Sequence, residues 1–247
     1  MCIERLRSIL VNCISGLVAA AASVGCASER GHGHGHEHGH GHGHGHEAVH
    51  HSFSDAERWA KKFDDPGRDA WQMPDAVLRA MNIEAGMTVV DLGTGTGYFL
   101  PYLSEAVGTA GRVLALDVEP NLVEYARARA TRESLENVRV ALIGTNDPGL
   151  AAASVDRILV VNTWHHIEHR AAYAEKLRAA LKPGGALHIV DFTKASPDGP
   201  PVELRLEPRQ VIEEVLGVGG ENSPGWRVAV SDDRLPRQYI VSIVRAP

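Results

Sequence analysis

The feature that most constrains this chain is a glycine-rich turn within residues 87–99, which lies between an apolar run and a segment able to open a helix. Val89, Val90 and Leu92 are typical of a short buried strand, and Asp91 stands near its carboxyl end. Three glycines then occupy alternate positions. Because glycine lets the chain turn sharply and lets a ligand approach where a Cβ would block it, the pattern predicts a ligand site made of backbone N–H groups and a helix N-terminus.

The spacing of these glycines differs from that of a dinucleotide-binding fingerprint, which is G-x-G-x-x-G. Gly93, Gly95 and Gly97 give the pattern D-x-G-x-G-x-G, and Tyr98 stands where the fingerprint has its third glycine. Asp117 ends the next apolar run, twenty residues after Gly97. A carboxylate at that place can accept hydrogen bonds from both ribose hydroxyls of an adenosine ligand.

Segments with strand character alternate with amphipathic helical segments along most of the chain. We expect helices at 54–63 (opened by a capping box from Ser54 to Glu57), from 74, at 98–107, from 120, at 168–181 and at 207–216. We expect strands at 89–92, 112–118, 138–143, 154–162 and 186–192, an antiparallel pair at 226–230 and 238–244, and an irregular segment at 68–74. The alternation predicts an α/β fold with a doubly wound, mostly parallel seven-stranded sheet and an antiparallel C-terminal strand.

Ligands of such sheets bind at the carboxyl ends of the strands, where the strand order reverses. Six residues are predicted to meet at that edge: Asp91, Gly93, Asp117, Asn146, Asn162 and His165. Because they come from separate segments, their convergence is stronger evidence for a site than any single motif.

In chain order, these segments resemble the class I S-adenosylmethionine-dependent methyltransferases over residues 52–247. Residues 89–97 resemble motif I of that family, and Asp117 resembles its acidic residue after the second strand. Residues 155–162 resemble its fourth-strand motif, and residues 181–192 the motif that leads through its fifth strand. The resemblance implies a Rossmann-like fold, S-adenosyl-L-methionine as cofactor, and in-line methyl transfer to an unidentified small-molecule acceptor.

The resemblance also implies roles for individual residues. Helices within residues 52–86 would cover the cofactor cleft, where Trp71 and Gln72 would help to close the pocket; alternatively, Trp71 packs a helix onto the sheet. Asn146 or Asp147 would contact the adenine. The cofactor-binding candidates are Asp91, Gly93, Thr94, Gly95, Gly97, Asp117, Val118, Asn146, Asp147 and Asn162.

Histidines follow the predicted fourth strand beside the cleft. His165 and His166 are the catalytic candidates, since an oxygen or nitrogen nucleophile has to lose a proton and imidazole can accept it near neutral pH. A packing or cofactor-contacting role for them stays open, as does a role for the nearby His169. Tyr98 and Asp191 are weaker candidates. Arsenic methylation through cysteine ligands is not expected, because all three cysteines lie within the first 26 residues.

Charge and composition argue against a nucleic-acid partner. The formal net charge is −6, and no basic run offers an electrostatic footprint for phosphates. Aromatic residues make up 5% of the chain, so platforms for stacking single-stranded bases are not expected either.

Residues 1–26 have the features of an export signal. Arg5 and Arg7 precede an apolar run at 9–22, and small residues lead to Cys26. The arrangement resembles a bacterial lipoprotein signal, in which the cysteine is lipidated and attaches the protein to a membrane. We therefore expect a membrane-associated, lipoprotein-anchored protein. Two alternatives stay open: an uncleaved anchor, and a cytoplasmic protein whose start has been assigned too far upstream.

Residues 27–51 form a histidine- and glycine-rich tract that has no apolar face and is expected to be disordered. Flexible imidazoles at this density can chelate Zn, Ni or Cu. The candidate metal ligands are His32, His34, His36, His38, His40, His42, His44 and His46. The alternative is a solvated spacer that binds metal only as a side effect of its composition.

The leader and the glycine-rich turn point in different directions, because S-adenosylmethionine is a cytoplasmic metabolite and an exported copy would meet little of it. A second class of function therefore stays open: an envelope-associated, His-rich metal-binding protein whose methyltransferase-like domain binds a ligand without turnover. In either case we divide the chain into a leader (1–26), the tract (27–51), N-terminal helices that cover the cleft (52–86) and a methyltransferase domain (87–247).

Overall fold

A mixed sheet of seven strands carries the part of the chain described by the computed structural model, residues 55–231 and 235–247. The strands are β1 (Thr88–Leu92), β2 (Arg112–Asp117), β3 (Val138–Leu142), β4 (Val155–Val161), β5 (Leu181–Phe192), β6 (Trp226–Ser231) and β7 (Gln238–Arg245). Their spatial order is β3-β2-β1-β4-β5-β7-β6. The export leader and the histidine tract predicted from the sequence lie outside the described residues.

The strand directions define the edge of the sheet that carries the predicted site, which is the edge formed by the carboxyl ends of the parallel strands. Strands β1 to β5 are parallel, and β7 runs antiparallel to both of its neighbours. The order reverses between β1 and β4, which is where a crevice forms at the carboxyl ends. Because β7 is reversed, its first residue, Gln238, lies opposite Phe192 at the end of β5. The predicted fold class is confirmed.

Helices pack on both faces of the sheet. They are α1 (Ala56–Phe63), α2 (Asp69–Gln72), α3 (Pro74–Met81), α4 (Leu100–Val107), α5 (Pro120–Arg132), α6 (Arg170–Ala180) and α7 (Pro208–Leu216). Val90 and Leu92 join the core formed with α6 and α7, whereas Val89 joins the core formed with α3 and α4. Strand β1 is thus buried on both faces, which explains why its sequence is apolar without alternation.

The first helix begins later than the sequence predicts. Its N-cap is Asp55, whose Oδ1 accepts a hydrogen bond from the N–H of Arg58 at 3.0 Å. Ser54, which we expected to be the cap, lies outside the described residues. An aspartate caps as well as a serine does, so the helix keeps an N-cap, but the predicted reciprocal capping box is replaced by a single bond, because the N3 residue is now Arg58.

We expected an irregular segment at 68–74, but this segment contains helix α2. The backbone N–H of Gln72 donates to the Arg68 carbonyl at 2.7 Å, as in a helical turn. Met73 then adopts a left-handed conformation (φ 47°), which ends α2 and lets α3 begin at Pro74. Met73 and Pro74 therefore separate two helices and do not prevent α2 from forming.

The boundaries around β4 and β5 also differ from expectation. A 3₁₀ turn at Trp164–His166 and a left-handed His169 (φ 48°) precede α6, so that helix starts two residues late, at Arg170. Strand β5 starts five residues early, because Leu181 pairs with Val155 across a bulge.

Two kinds of feature are absent from residues 55–231 and 235–247. No helix there is both long and apolar enough to span a bilayer. No group of three or more His, Cys, Asp or Glu side chains there is arranged to hold a metal ion. Cys26 and the metal ligands proposed for the tract lie outside these ranges, so their roles stay predictions.

Candidate functional site

The glycine-rich turn joins β1 to α4 and lies against the end of β2. Gly93, Gly95 and Gly97 all have positive φ angles, of 73°, 56° and 80°, which side chains with a Cβ rarely adopt. The N–H groups of Gly93 and Thr94 both donate to the Leu116 carbonyl, at 2.8 and 3.1 Å. The neighbouring strand therefore fixes the shape of the turn before any ligand binds.

The three glycines have different surroundings. A Cβ on Gly93 would lie 2.3 Å from Thr163 Oγ1, and a Cβ on Gly97 would lie 2.7 Å from a leucine side chain of α4. A Cβ on Gly95 would meet only the Phe63 ring, at an ordinary contact distance of 3.7 Å. Packing within the protein thus requires glycine at the first and third positions. At Gly95, by contrast, no close contact within the protein excludes a Cβ.

Asp91 lies at the end of β1 with its side chain almost fully buried. Its Oδ2 accepts a hydrogen bond from Thr94 Oγ1 at 2.7 Å. Burial raises the pKa of the Asp91 carboxyl to about 6; the bond from Thr94 opposes the rise, and the nearby charge of Asp117 adds to it. A buried carboxylate of this kind is a place where a positively charged ligand group can be stabilised.

Asp117 ends β2 and ties the turn to that strand. Its Oδ2 accepts the N–H of Gly95 at 2.8 Å, and its Oδ1 accepts the N–H of Glu119 at 3.0 Å. Each carboxylate oxygen can accept a further hydrogen bond, so the residue retains capacity for two ribose hydroxyls. Burial raises the pKa of this carboxyl, and the backbone N–H groups oppose the rise. Val118, which is 41% exposed, adds apolar surface at the same edge.

The loop after β3 carries Asn146 and Asp147 on the protein surface. The N–H of Ile143 donates to the Asp117 carbonyl at 2.9 Å, so the loop starts beside the end of β2. The Asn146 carbonyl accepts a hydrogen bond from Lys176 Nζ at 2.7 Å, and the Asp147 carboxylate accepts one from a backbone N–H of the loop at 2.9 Å. Both candidates lie near the site, but their contacts are with the loop itself and with α6.

His165 and Asp191 form a buried pair at the ends of β4 and β5. His165 Nδ1 lies 3.0 and 2.9 Å from the two carboxylate oxygens of Asp191. The two residues are 6% and 3% exposed. Because the carboxylate accepts the proton on Nδ1, Nε2 is the ring nitrogen that can exchange a proton with a ligand.

The other two histidines of this segment are placed differently. The His166 ring is half-buried and packs against the His165 ring, with 4.2 Å between the ring centroids. His169 is exposed and precedes α6. The His165 ring, which a buried carboxylate orients, is therefore the stronger of the two catalytic candidates.

Residues from α1 and α2 cover the turn. The Arg68 guanidinium carbon lies 3.8 Å from the Tyr98 ring centroid, and Arg68 Nη1 donates to the Phe63 carbonyl at 2.7 Å. Burial lowers the pKa of Arg68 to about 10, so the side chain stays charged at neutral pH. Tyr98 and Tyr102 both donate to the Asp69 carboxylate, which holds α2 against the start of α4. Tyr98 therefore anchors the cover, and burial raises its pKa.

Trp71 packs α2 onto the end of β5. Its ring stacks on Phe192 with 6.1 Å between the centroids, and the Arg237 guanidinium lies 5.2 Å from the Trp71 ring centroid. The structure thus shows the packing contact that the sequence left as an alternative, at the rim of the same edge.

A chain of polar side chains links α2 to β7 and β4. Arg68 Nη2 donates to Gln72 Oε1 at 3.0 Å, and Gln72 Nε2 donates to Gln238 Oε1 at 2.6 Å. Gln238 Nε2 in turn donates to Asn162 Oδ1 at 2.5 Å. Both glutamines are fully buried. We call these four residues the amide chain. Sequence reasoning missed Arg68 and Gln238, although a glutamine that opens an otherwise apolar strand was a usable signal.

Two cavities lie elsewhere on the described part of the chain. One, of about 620 Å³, is lined by Trp226 and Arg245 among others; a second, of about 530 Å³, is lined by Ser104 and Asn137 among others. Neither includes a residue of the amide chain, the turn or the His165–Asp191 pair. The candidate site is therefore assigned from its chemistry and from the sheet topology.

Comparison with known proteins shows the family of this chain. Residues 89–185 match a family model described as a methyltransferase domain. A solved S-adenosylmethionine-dependent methyltransferase from Aquifex aeolicus is 33% identical to this chain, with a TM-score of 0.69, over 78% of this chain and 99% of that one. The chain belongs to the S-adenosylmethionine-dependent methyltransferases. In this chain the glycine-rich turn, Asp117 and the His165–Asp191 pair all lie at the edge where the fold binds ligands.

Curated relatives match this chain over part of their length. It is 27% identical to the demethylmenaquinone methyltransferase of Oceanobacillus iheyensis, over 60% of this chain and 63% of that protein. It is 29% identical to the arsenite methyltransferase of Halobacterium salinarum, over 53% of this chain and 33% of that protein. The chain thus spans between a third and two thirds of the length of these relatives, and their acceptors differ from one another.

Proposed function

We propose that this protein is an enzyme that transfers the methyl group of S-adenosyl-L-methionine to a small-molecule acceptor, with His165 as the general base. The observation that carries the proposal is the contact of His165 Nδ1 with both carboxylate oxygens of Asp191, at 3.0 and 2.9 Å, at the same edge as the glycine-rich turn. A base needs such a partner to be oriented and to be stabilised once it is protonated.

The residues of this edge fit the cofactor. Gly95 leaves room at the turn, and Asp117 retains acceptor capacity for ribose hydroxyls. Val118 offers apolar surface for an adenine, and the buried Asp91 offers negative charge to a cationic group. When bound, S-adenosylmethionine supplies an electrophilic methyl group on a sulfonium sulfur. Asn146 and Asp147 remain candidates for an adenine contact through the loop after β3.

The His165–Asp191 pair accounts for the removal of a proton from the acceptor. Asp191 holds the proton on Nδ1 of His165, so the Nε2 lone pair is the base, and the carboxylate stabilises the imidazolium that results. A positioned base contributes roughly 10²- to 10⁴-fold to a rate. We therefore expect the pair to control turnover and to have little effect on cofactor affinity.

The test compares His165→Gln and Asp191→Asn with the wild type in two measurements. Calorimetric titration with S-adenosylmethionine should give dissociation constants close to that of the wild type. Transfer of labelled methyl to a panel of small-molecule acceptors should fall by about 10²-fold or more in both variants. His169→Gln, at an exposed position, is the matched control and should retain the wild-type rate.

Three results would change the proposal. A wild-type protein that does not bind S-adenosylmethionine would overturn it. His165→Gln with an undiminished rate would remove the base from the proposal. A wild type that binds the cofactor and methylates no acceptor would favour the alternative, a ligand-binding domain without turnover.

The acceptor is proposed to be a small organic molecule. The sequence has no cysteine after residue 26, so an arsenite chemistry that depends on thiolates of the methyltransferase domain is not part of the proposal. The net charge of −6 likewise gives no reason to propose a nucleic-acid acceptor.

For residues 1–51 the proposals rest on the sequence. We propose that Cys26 attaches the protein to a membrane and that the histidine tract binds Zn, Ni or Cu. Membrane fractionation and the mass of the mature protein should both change in Cys26→Ser if the cysteine is lipidated. Metal titration of the full chain, compared with a variant in which the tract histidines are replaced by Ser, should show binding only in the former.

A further inference from the structure

The amide chain has a fixed direction, which its first member sets. A guanidinium group donates hydrogen bonds and accepts none, so Arg68 has to meet the side-chain oxygen of Gln72. The nitrogen of Gln72 then faces Gln238, whose oxygen has to accept. The oxygen and nitrogen of an amide have the same shape, and it is the hydrogen-bond network that tells them apart. Here the Arg68 cation at one end of the chain determines which side-chain atom is oxygen and which is nitrogen in Gln72, Gln238 and Asn162.

This direction commits the oxygen of Asn162 to the protein. Gln238 Nε2 donates to Asn162 Oδ1 at 2.5 Å, so Nδ2 of Asn162 is the group left to donate to a ligand. Asn162 is half-buried, whereas both glutamines are fully buried. The chain thus begins on a covered cation and ends on a donor that a ligand can reach.

The position of Asn162 in the sheet places this residue at the edge where the cleft is expected. In the strand order, the end of β4 lies between the end of β1, which carries the turn, and the end of β5, which carries Asp191. The next residue, Thr163, packs against Gly93, and His165 follows two residues later. Along this edge of the sheet, Asn162 therefore lies between the glycine-rich turn and Asp191.

A purely conformational role does not account for the whole chain. Asn162 has a left-handed backbone (φ 52°), which asparagine tolerates better than most residues, so φ alone would explain an asparagine there. It would not explain two buried glutamines that connect the residue to Arg68. Burying an amide group costs free energy unless it is hydrogen-bonded. In the amide chain each side-chain amide is hydrogen-bonded, and the donors and acceptors can be arranged in one direction only.

We propose that the amide chain makes Asn162 an obligate hydrogen-bond donor to the methyl acceptor, and that the acceptor is therefore a hydroxyl compound and not an amine. The proposal rests on the proposed function, because it takes this edge as the acceptor site. An oxygen that gives its proton to His165 becomes negative and accepts the N–H of Asn162, which stabilises the developing charge. An amine has a single lone pair, which has to point at the methyl group, so only its N–H groups would face the Asn162 donor and both donors would stay unpaired.

The experiment measures binding, not turnover, of matched probes that differ only in OH against NH₂. The pairs are phenol and aniline, catechol and 1,2-diaminobenzene, and 2-naphthol and 2-naphthylamine, titrated into the full-length protein saturated with S-adenosylhomocysteine. For the wild type, the hydroxyl member of at least one pair should bind about fivefold or more tightly than the amine, the equivalent of one hydrogen bond.

Three variants separate the direction of the chain from its mere presence. Asn162→Asp replaces the donor by an acceptor and tolerates the same backbone, so it should invert the preference. Asn162→Gly keeps the left-handed backbone and removes the amide, so the preference should disappear. Gln238→Met, at a residue no ligand touches, should bring the ratio toward one, because the Asn162 amide is then able to turn either way.

Asn137→Asp is the matched control for instability. The Asn137 amide donates to the Ser104 and Gly108 carbonyls, both at 2.9 Å and away from the carboxyl edge. This variant should be less stable than the wild type, yet its ratio of hydroxyl to amine affinity should be unchanged.

Each outcome decides the proposal. A wild type that binds S-adenosylhomocysteine but prefers the amines, binds both members equally or binds no hydroxyl probe would overturn it and leave the proposed function intact. Retention of the wild-type ratio in Gln238→Met would also overturn it. A wild type that does not bind S-adenosylhomocysteine would instead overturn the proposed function, on which this inference rests.

Discussion

Replacing Asp91 by Asn should make the unliganded protein more stable at neutral pH and weaken its binding of S-adenosylmethionine. Asp91 is 3% exposed, and its pKa is raised from 3.8 to about 6, first of all by burial. That difference corresponds to about 3 kcal/mol of free energy opposing the ionised form in the folded protein. Asparagine avoids this ionisation, and the raised pKa already includes the effect of the hydrogen bond from Thr94, so we expect a gain of about 3 kcal/mol.

The pH dependence of this gain has a definite sign. Because the pKa of Asp91 is higher in the folded protein than in the unfolded chain, the folded protein binds more protons between about pH 4 and 6. The free energy of unfolding of the wild type should therefore fall, relative to that of Asp91→Asn, as the pH rises through this window. Below about pH 4 the carboxyl is protonated in both states, so the two proteins should be equally stable.

Denaturant titrations of both proteins from about pH 4 to 8 measure this difference directly. In thermal scans near neutral pH, the same 3 kcal/mol corresponds to a rise in Tm of about 6–12 °C for a domain of this size. Affinity for S-adenosylmethionine should fall about 10- to 100-fold, because the variant no longer offers a charged acceptor. A variant less stable than the wild type near neutral pH, or a stability difference independent of pH, would refute the reasoning.

Four further variants test other parts of the site and core. Gly93→Ala should unfold the protein, because its Cβ would lie 2.3 Å from Thr163 Oγ1, whereas Gly95→Ala should cost about 1–2 kcal/mol for its positive φ and lose cofactor affinity; thermal scans and calorimetry distinguish them. Asp117→Ala should weaken cofactor binding and also lower the unfolding free energy by about 2 kcal/mol, since two backbone N–H groups lose their acceptor; unchanged stability in denaturant would contradict this. Burial lowers the pKa of His188 from 6.5 to about 3. Between these values the unfolded chain binds more protons than the folded protein, so the free energy of unfolding should decrease as the pH is lowered. His188→Gln should reduce that acid loss in denaturant titrations, and an equal loss in both proteins would count against the assignment.

The sequence was sufficient for the fold because the periodicity of its segments is strong. Apolar runs without alternation marked β1 and β4 as strands buried on both faces, and the paired final segments marked the antiparallel end of the sheet. Helix α2 was missed because it has only four residues and is held by tertiary contacts of Asp69 with two tyrosines. Local propensity carries little information about so short a helix.

The site was predictable where a strand end carries a residue with a definite chemistry. Asp91, Asp117, Asn162 and His165 were all expected at one edge, and the structure places them there. The amide chain was not predictable as a unit, because Gln72 and Gln238 lie 166 residues apart and no motif connects them. Their pairing follows from the antiparallel direction of β7. The sequence predicted this direction, but it did not predict the side-chain contacts that result from it.

The edge is organised by side-chain contacts that join the ends of different strands. Gly95–Asp117 joins the turn after β1 to β2, and His165–Asp191 joins the segment after β4 to β5. Packing within the protein accounts for two of the three glycines, so the glycine spacing alone does not identify the ligand. The cross-strand contacts add to it, because they determine which side chains lie together at this edge. The proposed cofactor contacts depend mainly on the register of β1 against β2, and the proposed base depends on that of β4 against β5. A core substitution that shifts only β4 against β5 should therefore abolish proton transfer before it abolishes cofactor binding.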